Sequence, residues 1–383
     1  MGIELLSFLK GKKKHHASGK GNGLQTLEPE KVPVYASGVQ QDGSVVRLVS
    51  NKRVRKPYRV SGIDDVASKN NWKAWLYLAP VIILVVTFLL YPLINTIFIS
   101  FTKDYVYATG QYDGFTLSNF GIILHLVPHI ASNGKPAWET DFINFSIPNT
   151  FIITFVTVPV SIALALIISV ALNSIKAFQK FLQTIFFLPY VTNAIAIGMV
   201  FSVLFDKEGL INFIFHLQNA NPGGGPLKWV WGTSSVLPFI PYIPLCLFII
   251  WNSIPFKILI LLSGLQGIDK QYYQAAQIDS CPKAKTLWKI TVPLLSPQIL
   301  YLMITSFIGS FKEYTSVVAI FNGPGTMGKN SNIPDMETIV YYVYDNVEKG
   351  NTSRAAAAGV FLFVVILIFT FVQFGVSKKR VHY

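Results

Sequence analysis

Two groups of polar side chains stand in stretches that are otherwise apolar. Ser306, Ser310 and Glu313 fall at i, i+4 and i+7 in "ITSFIGSFKEY", the spacing of one helical face. Asn252 and Phe256 lie one turn apart in "WNSIPFK", with Ser253 beside them. Polar groups in an apolar span carry a cost unless they meet a cavity or a partner helix. A carboxylate, an amide and hydroxyls can hydrogen-bond a polyhydroxylated solute, and an aromatic ring can cover its apolar face. The competing reading is structural: the serines bond their own helix backbone and Asn252 bonds a neighbouring span. Both readings stand at this point.

Covalent chemistry finds no support. The chain has no Gly-Lys-Ser/Thr phosphate loop, no zinc-ligand spacing and no Gly-x-Ser-x-Gly elbow. "NPGGGP" at Asn221–Pro226 lacks the following lysine and reads as a turn. No catalytic residue, no metal site and no cofactor bound by the chain itself are expected. Its six histidines form no cluster, and its two cysteines, Cys246 and Cys281, fall in a span and in a loop, too far apart for a structural disulfide.

The elements that must position these residues follow from composition. The 383 residues are 51% hydrophobic and only 13% charged, with a mean hydropathy of +0.46. A soluble domain carries about 25% charged residues. Six apolar stretches long enough to cross a bilayer are expected, roughly 74–101, 146–173, 181–205, 234–264, 294–321 and 355–377. The fold class is therefore all-α, a polytopic membrane protein of about six transmembrane helices.

Charge sets the expected orientation. Residues 1–73 carry fourteen Lys/Arg against six Asp/Glu, and the tail ends "SKKRVHY". The connections after the second and fourth spans are also basic, whereas the other three together hold seven basic and ten acidic residues. Basic loops stay cytoplasmic, so both termini are expected inside a multi-pass bacterial cell membrane. The net charge of +13 then reports topology and attraction to anionic lipid rather than nucleic-acid binding. The chain divides into a basic leader at 1–70, expected to be disordered, and a transmembrane domain at 71–383.

The connection after the fourth span is unusual. "KQYYQAAQIDSCPKAKTLWK", Lys270–Lys289, is rich in helix formers, and Pro282 divides it into two short pieces. Tyr272, Ala275, Ala276 and Asp279 recur at helical spacing as a small-residue face. Such a face suits a helix docked in a groove of a separate protein, and an amphipathic linker lying on headgroups fits it equally.

This loop resembles the signature of the membrane subunits of binding-protein-dependent ABC importers: Glu-Ala-Ala, three residues, Gly, nine residues, then Ile-x-Leu-Pro. Here Gln274, Ala275 and Ala276 open it, Ser280 falls at the glycine, and Ile290, Val292 and Pro293 close it. Asp279 agrees with the variant found in sugar permeases. "WNSIPFKILILLSGLQGID" from Trp251, "FFLPYVTNAIAIGMVF" from Phe186, "GLIN" at Gly209–Asn212 and "FNGPG" at Phe321–Gly325 are similar to the same subfamily, of the maltose and glycerol-phosphate type. Together they cover about residues 75–377.

The resemblance implies a cytoplasmic coupling helix within loop 270–293, with Tyr272, Tyr273, Gln274, Ala275, Ala276, Asp279, Ser280, Ile290 and Pro293 as ATPase-coupling residues. It also implies a second related permease, two ATPase subunits that bind ATP and Mg, and an extracytoplasmic solute-binding protein. The expected function is half of the translocation path of a carbohydrate importer, with a glycerophosphate-type solute as the alternative. Asn252, Ser253, Phe256, Ser306, Ser310 and Glu313 are the substrate-path candidates. Two departures weaken the coupling expectation: Gln274 forfeits the family's charge, and Ser280 restricts the backbone if φ must be positive. An ion-driven transporter would call for paired inverted halves and a chain of intramembrane acids, and a membrane enzyme for a cluster of titratable groups. Neither pattern is in the sequence.

Overall fold

Backbone amides in hydrocarbon have no water to bond, so an apolar chain must satisfy them within helices. The computed structural model describes residues 34–39, 45–50, 71–130, 134–175, 179–217, 229, 239–321 and 336–377. Among these, four helices are long and apolar enough to span a bilayer: α1 (Trp75–Ser100), α2 (Phe142–Ser174), α5 (Tyr242–Gly267) and α11 (Thr352–Ser377). A pair bent by 70°, α7 (Lys283–Leu294) and α8 (Ser296–Phe311), makes a fifth if it counts as one span.

The stretch expected as a third span, 181–205, is instead two shorter helices, α3 (Gln179–Val191) and α4 (Ala194–Leu204). The break has a local cause. Asn193 takes an extended backbone, and its Oδ1 accepts the amides of Ile195 and Ala196 at 2.9 and 3.4 Å. This is an N-cap, which starts a new helix rather than continuing the old one. The expected fifth span, 294–321, is likewise interrupted: α8 ends at Phe311, and a separate helix α9 (Thr315–Phe321) follows. Between the long helices lie α6 (Lys270–Ile278) and, before α11, the amphipathic α10 (Ile339–Glu348).

Helices α2 and α5 pack along one another and form the spine of the main core, where Ile162, Ala165 and Leu172 meet Ile258, Leu261 and Leu262. Leu302, Phe307 and Phe311 of α8 complete this core, together with Ala357, Ala358 and Leu362 of α11. In lipid, apolar burial supplies little drive between helices, so close van der Waals fit must do it. The buried run Ala355–Ala358 permits that fit. A second core joins Phe248 of α5 to Phe205, Val317 and Ile320. There Gly198 of α4 lies so near Ala319 of α9 that an added Cβ would sit 2.3 Å from the alanine methyl. The two short helices are thus locked to each other by a contact that only glycine allows.

Two compact units divide at Ile83/Leu84. Within the first, strands β1 (Val34–Val39) and β2 (Val45–Ser50) pair antiparallel, Val34 opposite Ser50 and Val39 opposite Val45. The β-branched residues in "VVRLVS" suit an extended chain. The rest of the leader lies outside the described residues.

Candidate functional site

The loop after α5 folds as two helical pieces, as Pro282 dictates. Asp269 caps α6, its Oδ1 accepting the Gln271 amide at 3.0 Å. The far end closes with the Cys281 amide on Ala276 O at 2.9 Å and the Ser280 amide on Gln277 O at 3.0 Å. These crossed bonds are the Schellman pattern, which needs a left-handed residue at the position after the cap, normally glycine. Ser280 occupies it with φ of +51°. The glycine of the loop signature is therefore a backbone requirement, and serine meets it under strain.

The two alanines do not share a face. Ala276 is 6% exposed and borders a groove of about 660 Å³ with Val170, Leu265, Tyr273 and Thr291. It packs toward its own protein, which corrects the expectation that both alanines admit a partner. Ala275, Gln274, Tyr272 and Asp279 are exposed, and Ile278 is 84% exposed. Tyr273 is half-buried, its hydroxyl 3.3 Å from Thr291 Oγ1, tying α6 to the turn beyond Pro282. Ile290 and Pro293 are half-buried in that following segment and hold it rather than present a surface. Sequence periodicity missed Ile278, because an isolated apolar residue beside Asp279 carries no pattern.

About 15–22 Å along α5 from its end, at 1.5 Å per residue, lies a cavity of about 370 Å³. Asn252, Ser253, Phe256 and Ser306 line it, and Tyr190, Thr192, Lys257 and Thr305 join them. The Tyr190 and Phe256 rings stack at 6.0 Å with 18° between their planes. The wall therefore alternates hydroxyl and amide groups with a flat aromatic pair.

Lys257 departs from what its place in the sequence suggests. A lysine in a span is expected to snorkel outward, yet it is only 5% exposed. Its Nζ donates to Ser161 Oγ at 2.7 Å and to Ser253 Oγ at 2.9 Å.

Two candidates do not reach this cavity. Ser310 is buried, 3.4 Å from Thr157 Oγ1, and serves the α2–α8 contact. Glu313 lies beyond the end of α8, so the helical spacing that aligned it with Ser306 does not apply. Its Oε1 accepts the Ser316 amide at 3.0 Å, and its carbonyl accepts the Thr338 hydroxyl at 2.7 Å. The acid starts α9 and anchors the approach to α10. Nearby, Tyr242 donates to Asn149 Oδ1, and Asn149 Nδ2 donates to Glu337 O at 2.9 Å, so one buried amide stitches α2, α5 and the approach to α10.

Residues 158–382 match the family described as binding-protein-dependent transport system inner membrane component. The chain is 28% identical over 309 residues to a lactose transport system permease protein of Rhizobium radiobacter, covering 80% of this chain and 94% of that one. It is 26% identical over 329 residues to an sn-glycerol-3-phosphate transport system permease protein of Agrobacterium fabrum, covering 84% and 100%. In fold it is similar to a chain of a bacterial ABC transporter that imports the acidic polysaccharide alginate, with a TM-score of 0.61 and 20% identity over 82% of this chain and 98% of that one.

Proposed function

Because the chain belongs to the family of binding-protein-dependent transport system inner membrane components, we propose that it forms half of the path of an ATP-driven importer for a carbohydrate or a related polyol. The observation that carries this reading is one rigid connection. Helix α5 bears Asn252, Ser253, Phe256 and Lys257 on the cavity wall and ends at Gly267, three residues before α6 begins. A displacement of α6 is delivered through α5 to the side chains that touch the solute.

In this mechanism ATP closes a pair of ATPase subunits on the cytoplasmic side. Their approach moves α6, which is held in a groove by Ala275, Tyr272 and Ile278. Helix α5 and the second, related permease then rock the cavity open to the outside, where a solute-binding protein delivers its cargo. The cavity's hydroxyl and amide groups exchange for the solute's water shell, and the Tyr190–Phe256 pair covers an apolar sugar face. The carbohydrate class is supported by the names of the relatives and by this lining. Both termini lie in the cytoplasm on the loop-charge count.

Purification from native membranes tests the reading. An ATPase should accompany the chain, and the reconstituted complex should hydrolyse ATP faster when its solute-loaded binding protein is added outside. Uptake driven by an ion gradient alone, with no ATPase in the complex, would defeat it.

A further inference from the structure

We propose that the cavity on α5 takes an anionic polyhydroxylated solute, with Lys257 as the residue that holds its carboxylate or phosphate; this rests on reading the chain as a solute permease. Lys257 is 5% exposed, yet both partners of its Nζ are neutral hydroxyls, Ser161 and Ser253. Among the described residues no carboxylate lies within 4.0 Å of it. An ammonium has three donors and no acceptor, so two serines leave one N–H unspent and the charge uncompensated.

Buried charges are ordinarily paired, because unpaired ones lose their hydration without return. Here the wall holding the lysine is also a cavity wall. Every other lining group is uncharged at neutral pH: Asn252, Ser253, Ser306, Thr192 and Thr305 offer amide and hydroxyl contacts, and Tyr190 and Phe256 offer rings. Among the described residues the site therefore carries one formal charge, and that charge is positive. A neutral sugar entering it would leave the ammonium facing hydroxyls alone, and an amino sugar would bring like charge against it. A solute bearing a carboxylate or phosphate supplies the missing counter-charge through a charge-assisted hydrogen bond, about twice as strong as a neutral one. The serines hold Nζ in place before the solute arrives, so little ordering remains to be done on binding.

Binding to the detergent-purified permease–ATPase complex, without the solute-binding protein's own selection, tests this. Equilibrium dialysis would use three labelled probes: a uronic-acid trisaccharide, sn-glycerol 3-phosphate and a neutral trisaccharide. At least one anionic probe should bind wild type tenfold or more tightly than the neutral one, and which of the two does so identifies the carboxylate or the phosphate as the recognised group. Lys257→Met should reduce that preference at least tenfold, and Lys257→Arg should retain most of it. Equal binding of neutral and anionic probes to wild type overturns the inference without any variant. So does an unchanged preference in an assembled Lys257→Met complex, which would mean the lysine is matched by an acid of the partner permease. Binding of no probe to a complex that responds to its own binding protein overturns the inference and leaves the permease reading standing. A purified chain with no ATPase strikes at that reading itself.

Discussion

The Glu313 carboxylate accepts the Ser316 amide at 3.0 Å, across the break between α8 and α9. An acid that reads in the sequence as a transport residue is thus the cap of the helix that follows. Removing a cap of this kind costs about 0.5–2 kcal/mol. Glu313→Ala should lower the thermal stability of the assembled complex and leave solute affinity at the wild-type value, whereas Glu313→Gln, which keeps an acceptor oxygen, should restore most of the stability. A tenfold loss of solute affinity in Glu313→Ala at unchanged stability would return the acid to the transport path.

Asn252 should behave in the opposite way. It lines the cavity and is half-buried. Loss of one hydrogen bond to solute costs about 0.5–1.5 kcal/mol, on the order of twofold to tenfold in affinity. Asn252→Ala should weaken solute binding by that factor while the complex assembles and melts normally. Normal affinity in this variant would assign the amide to helix packing.

The close approach of α4 and α9 makes a prediction about fold alone. A methyl at position 198 would lie 2.3 Å from that of Ala319, closer than any real contact. Gly198→Ala should therefore destabilise by roughly 1–3 kcal/mol, the ordinary cost of overpacking. Gly198→Ala with Ala319→Gly moves the methyl across the same contact and should recover most of the loss. A double variant no more stable than Gly198→Ala would show that the glycine is needed for its backbone instead.

These residues show where the sequence was legible and where it was not. The long apolar helices are visible because their cause is local: about twenty apolar residues can do little else in a bilayer. The division of the loop after α5 is visible for the same reason, since Pro282 acts on its own neighbours. Asn252, Ser253 and Ser306 were legible as polar groups in apolar spans, and Phe256 as a ring one turn from Asn252. Glu313 was misread because helical spacing holds only while the helix continues, and α8 ends two residues earlier. The buried placement of Lys257 was out of reach, because snorkelling is the default for a lysine in an isolated span and Ser161, its partner, is 96 residues away in sequence. Periodicity cannot see such a contact. The split between Ala275 and Ala276 was also out of reach, since which alanine faces the bundle depends on how α6 docks on Val170 and Leu265.

Ser280 offers a test of strain. Its φ of +51° places a Cβ-bearing residue in the left-handed region, at a cost of about 1–2 kcal/mol relative to glycine. Ser280→Gly should raise the stability of the complex by up to about 1 kcal/mol, part of the gain being offset by glycine's greater freedom in the unfolded chain. Ser280→Val, β-branched, should lower it. Hydrolysis stimulated by the binding protein is the second readout: an unstrained turn should leave coupling unchanged or improve it. A stability lower in Ser280→Gly than in wild type would mean that the serine hydroxyl makes a compensating contact in the full complex.

The exposed face of α6 decides whether the loop docks on an ATPase at all. Ile278 is 84% exposed beside exposed Ala275 and Tyr272, while Ala276 is 6% exposed against the bundle. A large apolar side chain held in water at a loop tip is unremarkable singly, but here it shares a capped helix with a small residue that permits close approach. Cysteines placed at 275 or 278 should therefore cross-link to the ATPase, and one at 276 should not. Ala275→Trp should overfill the contact, with a penalty of roughly 1–3 kcal/mol, so that ATPase association or stimulated hydrolysis falls while the chain still inserts. Ala276→Trp should instead displace α6 from its own groove and lower the stability of the permease before any partner binds. The two substitutions differ by one residue and 100° around the helix, so a loop that merely lay on the membrane would lose ATPase association with neither of them. Wild-type association and hydrolysis in Ala275→Trp, together with cross-linking from 276 rather than 275, would place the ATPase elsewhere on the chain.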